Sequence, residues 1–199
     1  IKIASMEINN HDFLKYIASK ETAIILSTGM STYDEINEAV DVIAKAGNKN
    51  IAVLHCKSIY PLSPDQANLN NITKLRDILL DIPIGYSDHT SGIEAAVASA
   101  ALGCPIIEKH FTLDNLKIGM DNQMAMMPEQ FKNMIDLCNL TQSIMGSYER
   151  ELSDDEYQQR QTMRRSIVSK AYISKDKTIT NEDICFKRPG DGIPPTEVN

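Results

Sequence analysis

The chain of 199 residues is 42% hydrophobic and 24% charged, enough for one sizeable core with a small appendage. A formal net charge of −7 excludes the broad basic face that a nucleic acid or an anionic membrane requires, so an anionic substrate must be met by a local cluster of donors. No apolar run reaches the ~20 residues of a bilayer span and no basic-then-apolar leader opens the chain, which predicts a soluble, cytoplasmic protein.

In chain order, β-branched apolar runs occupy 1–5 (IKIAS), 23–27 (AIILS), 51–56 (IAVLHC), 82–87 (IPIGYS) and 105–110 (PIIEKH). Stretches of helical period separate and follow them at 11–19, 32–46, 66–80, 92–102 and 128–145. Thr32 with Glu35 forms a capping-box signature for the second of these, and Gly47 a natural left-handed stop. Nearly continuous apolar strands at regular spacing predict right-handed βα units around a parallel sheet covered on both faces.

Five such units fit either an open doubly wound sheet or part of a (β/α)8 barrel. Every strand ends in residues able to do chemistry: Lys2 and Ser5, Ser27, His55 with Ser58, Ser87 with His89, and Glu108 with His110. Barrel strands converge on one mouth at their C-terminal ends, whereas an open sheet shares a site only at its switch point, so the barrel explains more of the pattern. The predicted fold class is therefore α/β, a (β/α)8 TIM barrel of which five βα units are present. Residues 1–146 form the partial barrel domain, 147–163 a polar linker with helical tendency, and 164–199 the start of a small β-rich domain with a KDKT turn. A start inside a strand and an end inside a turn-rich stretch are expected of a fragment.

Two imidazoles on adjacent strand ends, His89 and His110, can share a divalent metal and leave positions open for water and substrate. A histidine ending a strand is also an ordinary hydrogen-bonded rim residue. Asp88 and Glu108 either orient the rings or face the helix layer, since alternate strand residues point oppositely. Ser5, Ser27, Ser58 and Ser87, with Lys2, can bind a phosphate or carboxylate, although small residues also end strands for turn reasons. The STGMST loop at 27–32 can add backbone amides to such a site. A lysine Schiff base is a rival: Lys109 alternates with His110 and points away, which leaves Lys2. The cysteines at 56, 104, 138 and 185 form no CxxC pair and read as reduced thiols. Met120, Met124, Met126 and Met127 fill core gaps or line a pocket.

The motifs KIAS, ILSTGM, LHCKSIYP, GYSDHTSGIEAAVASAALG and EKHFTLD, taken together, resemble the sialic acid synthase family. These enzymes condense phosphoenolpyruvate with an N-acylated hexosamine, such as N-acetylmannosamine or a 2,4-diacetamido-trideoxyhexose, to give N-acetylneuraminate, legionaminate or pseudaminate. The tail RRSIVSKAYISKDKTITNEDICFKRPGDGI is similar to that family's linker and the opening of its antifreeze-like (SAF) domain. The resemblance implies barrel strands four to eight here, the first three strands lying outside this chain, and a domain-swapped homodimer when full length.

It also implies Mn2+, with Mg2+ or Co2+ as alternatives, on His89 and His110. Phosphoenolpyruvate contacts are implied for Lys2, Ser5, Ser27, Ser58 and Ser87, and sugar-side roles for Glu7, Tyr60 and Asp121, Glu7 with the two histidines being the catalytic group. One loop departs: where the family commonly reads PGPDHKAS, this chain reads KIGMDNQMAM, keeping Gly119 and Asp121 but carrying Met120, Asn122 and Gln123. A sugar-phosphate-binding barrel without catalysis is the alternative in another class, and the isolated chain is expected to be inactive.

Overall fold

The computed structural model describes residues 1–198 and divides the chain into two compact units, Ile1–Gly146 and a second from Ser147 onward. In the first, strands β1 (Lys2–Ile3), β2 (Ile24–Ser27), β3 (Ile51–His55), β4 (Ile84–Asp88) and β5 (Ile107–Lys109) form one parallel sheet in sequence order. Helices α1 (His11–Ala18), α2 (Tyr33–Lys45), α3 (Asn70–Ile78) and α4 (Glu94–Ala101) are the crossovers, and α5 (Pro128–Met145) follows β5. The sheet curls, as part of a barrel does: Lys2 on β1 reaches within 3.7 Å of Glu108 on β5, although three strands lie between them.

Local sequence accounts for these elements. Thr32 accepts from the Glu35 amide while the Glu35 carboxylate accepts from the Thr32 amide, so α2 starts where the chain offers both halves of the box. Its Ile36, Ala39, Val40 and Ile43 recur on one face and are buried, and each large aliphatic side chain placed there stabilises by roughly 1.5–3 kcal/mol. They join Leu14 and Ile17 of α1, Ile72 and Leu75 of α3, and the sheet residues Ile3, Leu26, Val53 and Ile84 in the main core. Ala96 of α4, Met126 just ahead of α5 and Met134 of α5 form a second cluster.

The helix expected over 66–80 starts later, at Asn70, because Pro64–Gln66 turns as a 3-10 segment ahead of it. The stretch read as a polar linker contains an α-helix, α6 (Asp154–Met163), started by a Ser153/Glu156 capping box. Arg150 lies 2.8 Å from Glu156 beside that cap, and α6 has no buried residue. Caps thus convert the helical tendency into a helix without a core. Farther on, β6 (Ser166–Ser169) pairs antiparallel with β7 (Ile184–Lys187), in register Val168↔Cys185. Among the described residues no helix is long and apolar enough to cross a membrane.

Candidate active site

All five strands of the first unit run the same way, so their C-terminal ends share one rim. The β4–β5 register sets Ser87 opposite Glu108 and Asp88 opposite Lys109. Period two then sends Ser87, Glu108 and the two histidines to one side, and Asp88 with Lys109 to the other. Ser87 Oγ donates to Glu108 Oε1 at 2.7 Å and lies 3.5 Å from His89 Nε2. Asp88 bonds neither imidazole; its partner is Lys109, 2.6 Å away and buried with it. The fully paired Lys109 is unavailable to chemistry, and Lys2 sits exposed beside a carboxylate, the reverse of the desolvated setting a Schiff-base amine needs.

His89 and His110 face each other with ring centroids 5.4 Å apart at 47°. His89 Nδ1 lies 2.6 Å from the Lys57 carbonyl oxygen. A carbonyl only accepts, so Nδ1 carries the proton and the lone pair of the neutral ring is on Nε2. Burial pushes the His89 pKa down, the Lys57 carbonyl opposes this, and the neighbouring His110 adds to the lowering. A neutral ring with its far nitrogen anchored is the form in which an imidazole ligates a metal. Among the described residues no three His, Cys, Asp or Glu side chains are grouped to hold a metal by themselves. The pair could supply two ligands to a divalent cation, with the other positions left to water and substrate.

Tyr60 covers this pair, its ring 4.3 Å from that of His89 and 5.8 Å, edge-on, from that of His110. Its phenol is pushed up, by burial first and then by the charges of acidic groups around it.

Ser5 and Ser58 gather around the loop that follows Ser27 of β2, whereas Ser87 stays with Glu108. Gly29 has φ +38°, and a Cβ there would stand 2.2 Å from Ser5 Cβ and 2.4 Å from Ser58 Oγ, so both hydroxyl side chains press against a bare backbone. Cys56 Sγ accepts from the Gly29 amide at 3.0 Å and lies 3.2 Å from Ser5 Oγ, tying β1, β2 and β3 together. Ser27 Oγ is the one buried side-chain nitrogen or oxygen among the described residues with no hydrogen-bond partner. A buried hydroxyl without a partner costs roughly 1–3 kcal/mol, an expense that a bound oxyanion would cancel.

Glu7 stands in the 3-10 turn after β1 and accepts from Asn10 Nδ2 at 2.9 Å; no hydrogen bond or ion pair among the described residues joins it to the histidines. Two participants were not legible beforehand. Lys57 acts through its main-chain carbonyl, which no side-chain pattern announces. Gly29 had a signal in STGMST, as the only residue able to let the loop approach Ser5 and Ser58.

Comparison with known proteins places this rim in context. The sequence profile of the NeuB family matches residues 1–150. The N,N'-diacetyllegionaminic acid synthase of Legionella pneumophila is 37% identical over 203 aligned residues, covering 100% of this chain and 57% of that enzyme. The pseudaminic acid synthase of Campylobacter jejuni is 31% identical, covering 98% of this chain and 56% of the enzyme. A crystal structure of an N-acetylneuraminic acid synthetase from Leptospira borgpetersenii, in complex with citrate, superposes with a TM-score of 0.74 at 34% identity, over 79% of this chain and 55% of that one. The chain thus spans just over half the length of these relatives.

Proposed function

The chain belongs to the NeuB family, and from that premise we propose that it is the greater part of the catalytic barrel of a nonulosonic acid synthase. The reaction joins C3 of phosphoenolpyruvate to the aldehyde carbon of an open-chain N-acylated hexosamine. The aldehyde oxygen takes up a proton, water adds at C2, and phosphate leaves by C–O cleavage. The observation that carries this reading is the neutral His89, its Nδ1 anchored on the Lys57 carbonyl and its ring facing His110.

Lys2, Ser5, Ser27, Ser58 and Ser87 hold the phosphoenolpyruvate anion, supplying one cation and four short donors, of which Ser5 and Ser58 pack against the bare backbone of Gly29. His89 and His110 hold the divalent cation, Mn2+ by preference, which when bound draws electron density from the aldehyde oxygen. Tyr60 shields the imidazoles from water on one side, and its phenol, with Asp121 and Glu7, meets the sugar. Fixing both reactants at one rim lowers the barrier by orientation.

The barrel closes with strands supplied by the rest of the protein, and the unit from Ser147 opens an antifreeze-like domain, with α6 inside its connecting segment. The intact enzyme is a domain-swapped homodimer in the cytoplasm, and the 199-residue chain alone is inactive. Incubating the intact protein with phosphoenolpyruvate, Mn2+ and either N-acetylmannosamine or a 2,4-diacetamido-trideoxyhexose should release phosphate and an α-keto acid. Absence of phosphate with every such sugar overturns the reading.

A further inference from the structure

The segment after His110 leaves the sheet and returns through a narrow neck. Phe111 bridges Met126, the Met126 amide donates to the His110 carbonyl at 2.9 Å, and the Thr112 amide donates to the Met126 carbonyl at 2.9 Å. Between these residues the apolar side chains do not hold the loop: Leu116, Ile118 and Met120 are 89%, 98% and 101% exposed. The loop's path is therefore fixed by polar links, and these converge on Asn122. Its Nδ2 donates to the Asp114 carbonyl at 2.6 Å and to the Lys117 carbonyl at 2.7 Å, while Thr112 Oγ1 donates to its Oδ1. Two acceptor-only carbonyls on one side of the carboxamide and a hydroxyl on the other settle which end is nitrogen. Gly119 closes the ring, since a Cβ there would stand 3.1 Å from Asn122 Cβ.

The next residue back along the chain is Asp121, and the loop's neck is bonded to the main chain of His110, whose ring faces His89 and meets Tyr60 edge-on. We infer that Asn122 is a positioning residue for the acceptor side of the mouth: by cross-linking Thr112, Asp114 and Lys117 it sets where Asp121 stands on the loop that springs from His110, and so how firmly the acceptor sugar is held. This rests on the proposed synthase reading. The anion side, Lys2, Ser5, Ser27, Ser58 and Ser87, shares no hydrogen bond with this loop among the described residues, so the two substrates are affected separately.

The test is steady-state kinetics on the intact protein with Asn122→Ala and Asn122→Asp, varying N-acetylmannosamine or the 2,4-diacetamido-trideoxyhexose at saturating phosphoenolpyruvate, and then the reverse. Asn122→Ala raises the acceptor KM by about 10- to 100-fold, the scale of a displaced positioning group, and leaves the phosphoenolpyruvate KM within about twofold. Asn122→Asp is nearly isosteric yet loses both donors, so it follows alanine and separates hydrogen bonding from packing. Mn2+ binding followed by electron paramagnetic resonance stays unchanged in both variants, because His89 and His110 lie outside the loop. An unchanged acceptor KM, or equal rises for both substrates, overturns the inference while the synthase reading stands. A wild-type protein that releases no phosphate with either sugar overturns both.

Discussion

Lys109 Nζ lies 2.6 Å from Asp88 Oδ2, and with side-chain exposures of 2% and 0% neither group is open to water. The pair spans adjacent strands one residue before each histidine. It is saturated as well as paired: Asp88 Oδ1 accepts from the Thr90 amide and hydroxyl at 2.8 Å each and from the Tyr86 hydroxyl at 3.2 Å, while Lys109 also donates to the Thr90 carbonyl at 2.6 Å. Removing one partner strands the other charge in the interior. Asp88→Asn or Lys109→Met alone is expected to cost about 3–5 kcal/mol in chemical denaturation, and Asp88→Leu with Lys109→Met together much less than the sum. Additive losses would show that the two charges do not depend on each other.

Ser27→Ala separates stability from binding. Its hydroxyl is buried without a partner, so deleting it should leave the unfolding midpoint unchanged or raise it slightly. The same variant should raise the phosphoenolpyruvate KM by roughly tenfold if the oxygen meets the bound anion. A loss of stability with normal phosphoenolpyruvate affinity would assign Ser27 to packing.

On the proposed reading, replacing either imidazole removes the divalent cation without unfolding the chain. His89→Ala and His110→Ala are each expected to abolish saturable Mn2+ binding in electron paramagnetic resonance and to lower turnover by about 10²-fold or more. A His89→Ala protein with full metal-dependent activity would take that residue out of the ligand set.

His55 carries a pH dependence away from the mouth. It is buried, its Nε2 donates to the Ala67 carbonyl at 2.9 Å, and its ring stacks on Tyr86 with centroids 5.8 Å apart. Burial pushes its pKa below the usual 6.5; the Ala67 carbonyl opposes this and the Lys57 charge adds to it. The unfolded chain therefore binds more protons than the folded one between the two values. Stability is complete above pH 6.5 and falls as the pH drops from there towards the folded-state value, below which the loss levels off. Unfolding measured from pH 8 to pH 4.5 should show a shallower acid decline in His55→Asn than in the wild type, and equal slopes would refute the assignment.

Much of the sheet was legible because its determinants are local. Continuous apolar runs marked the five strands, and the Thr32/Glu35 box marked the start of α2. The same logic fell short at α3, where the helical period starts at 66, but the 3-10 turn over Pro64–Gln66 and the left-handed Asn68 hold the helix back to Asn70. It underread α6 because that helix has no apolar face, although Ser153 and Glu156 stand at capping-box spacing. Strand alternation left Asp88 and Glu108 with two orientations, and the pairing resolves them in opposite senses, Asp88 towards Lys109 and Glu108 towards Ser87. The tether from His89 to the Lys57 carbonyl and the grip of Asn122 on two main-chain oxygens lay beyond the sequence. Each depends on the path of the backbone, distant for Lys57 and irregular for the loop around Asn122, and a carbonyl looks the same in every residue.

The β4–β5 register ties the mouth to the folding reaction. A crossover through α4 must close before Asp88 meets Lys109, and only that alignment brings His89 and His110 face to face. Sliding β5 by one residue would turn Lys109 into the mouth and send His110 towards the helices. A ligand that requires both rings thus captures only molecules whose last strand of this sheet has docked in frame. Titrating such a ligand during refolding would count correctly aligned chains, and a slipped population would remain uncounted however compact it had become.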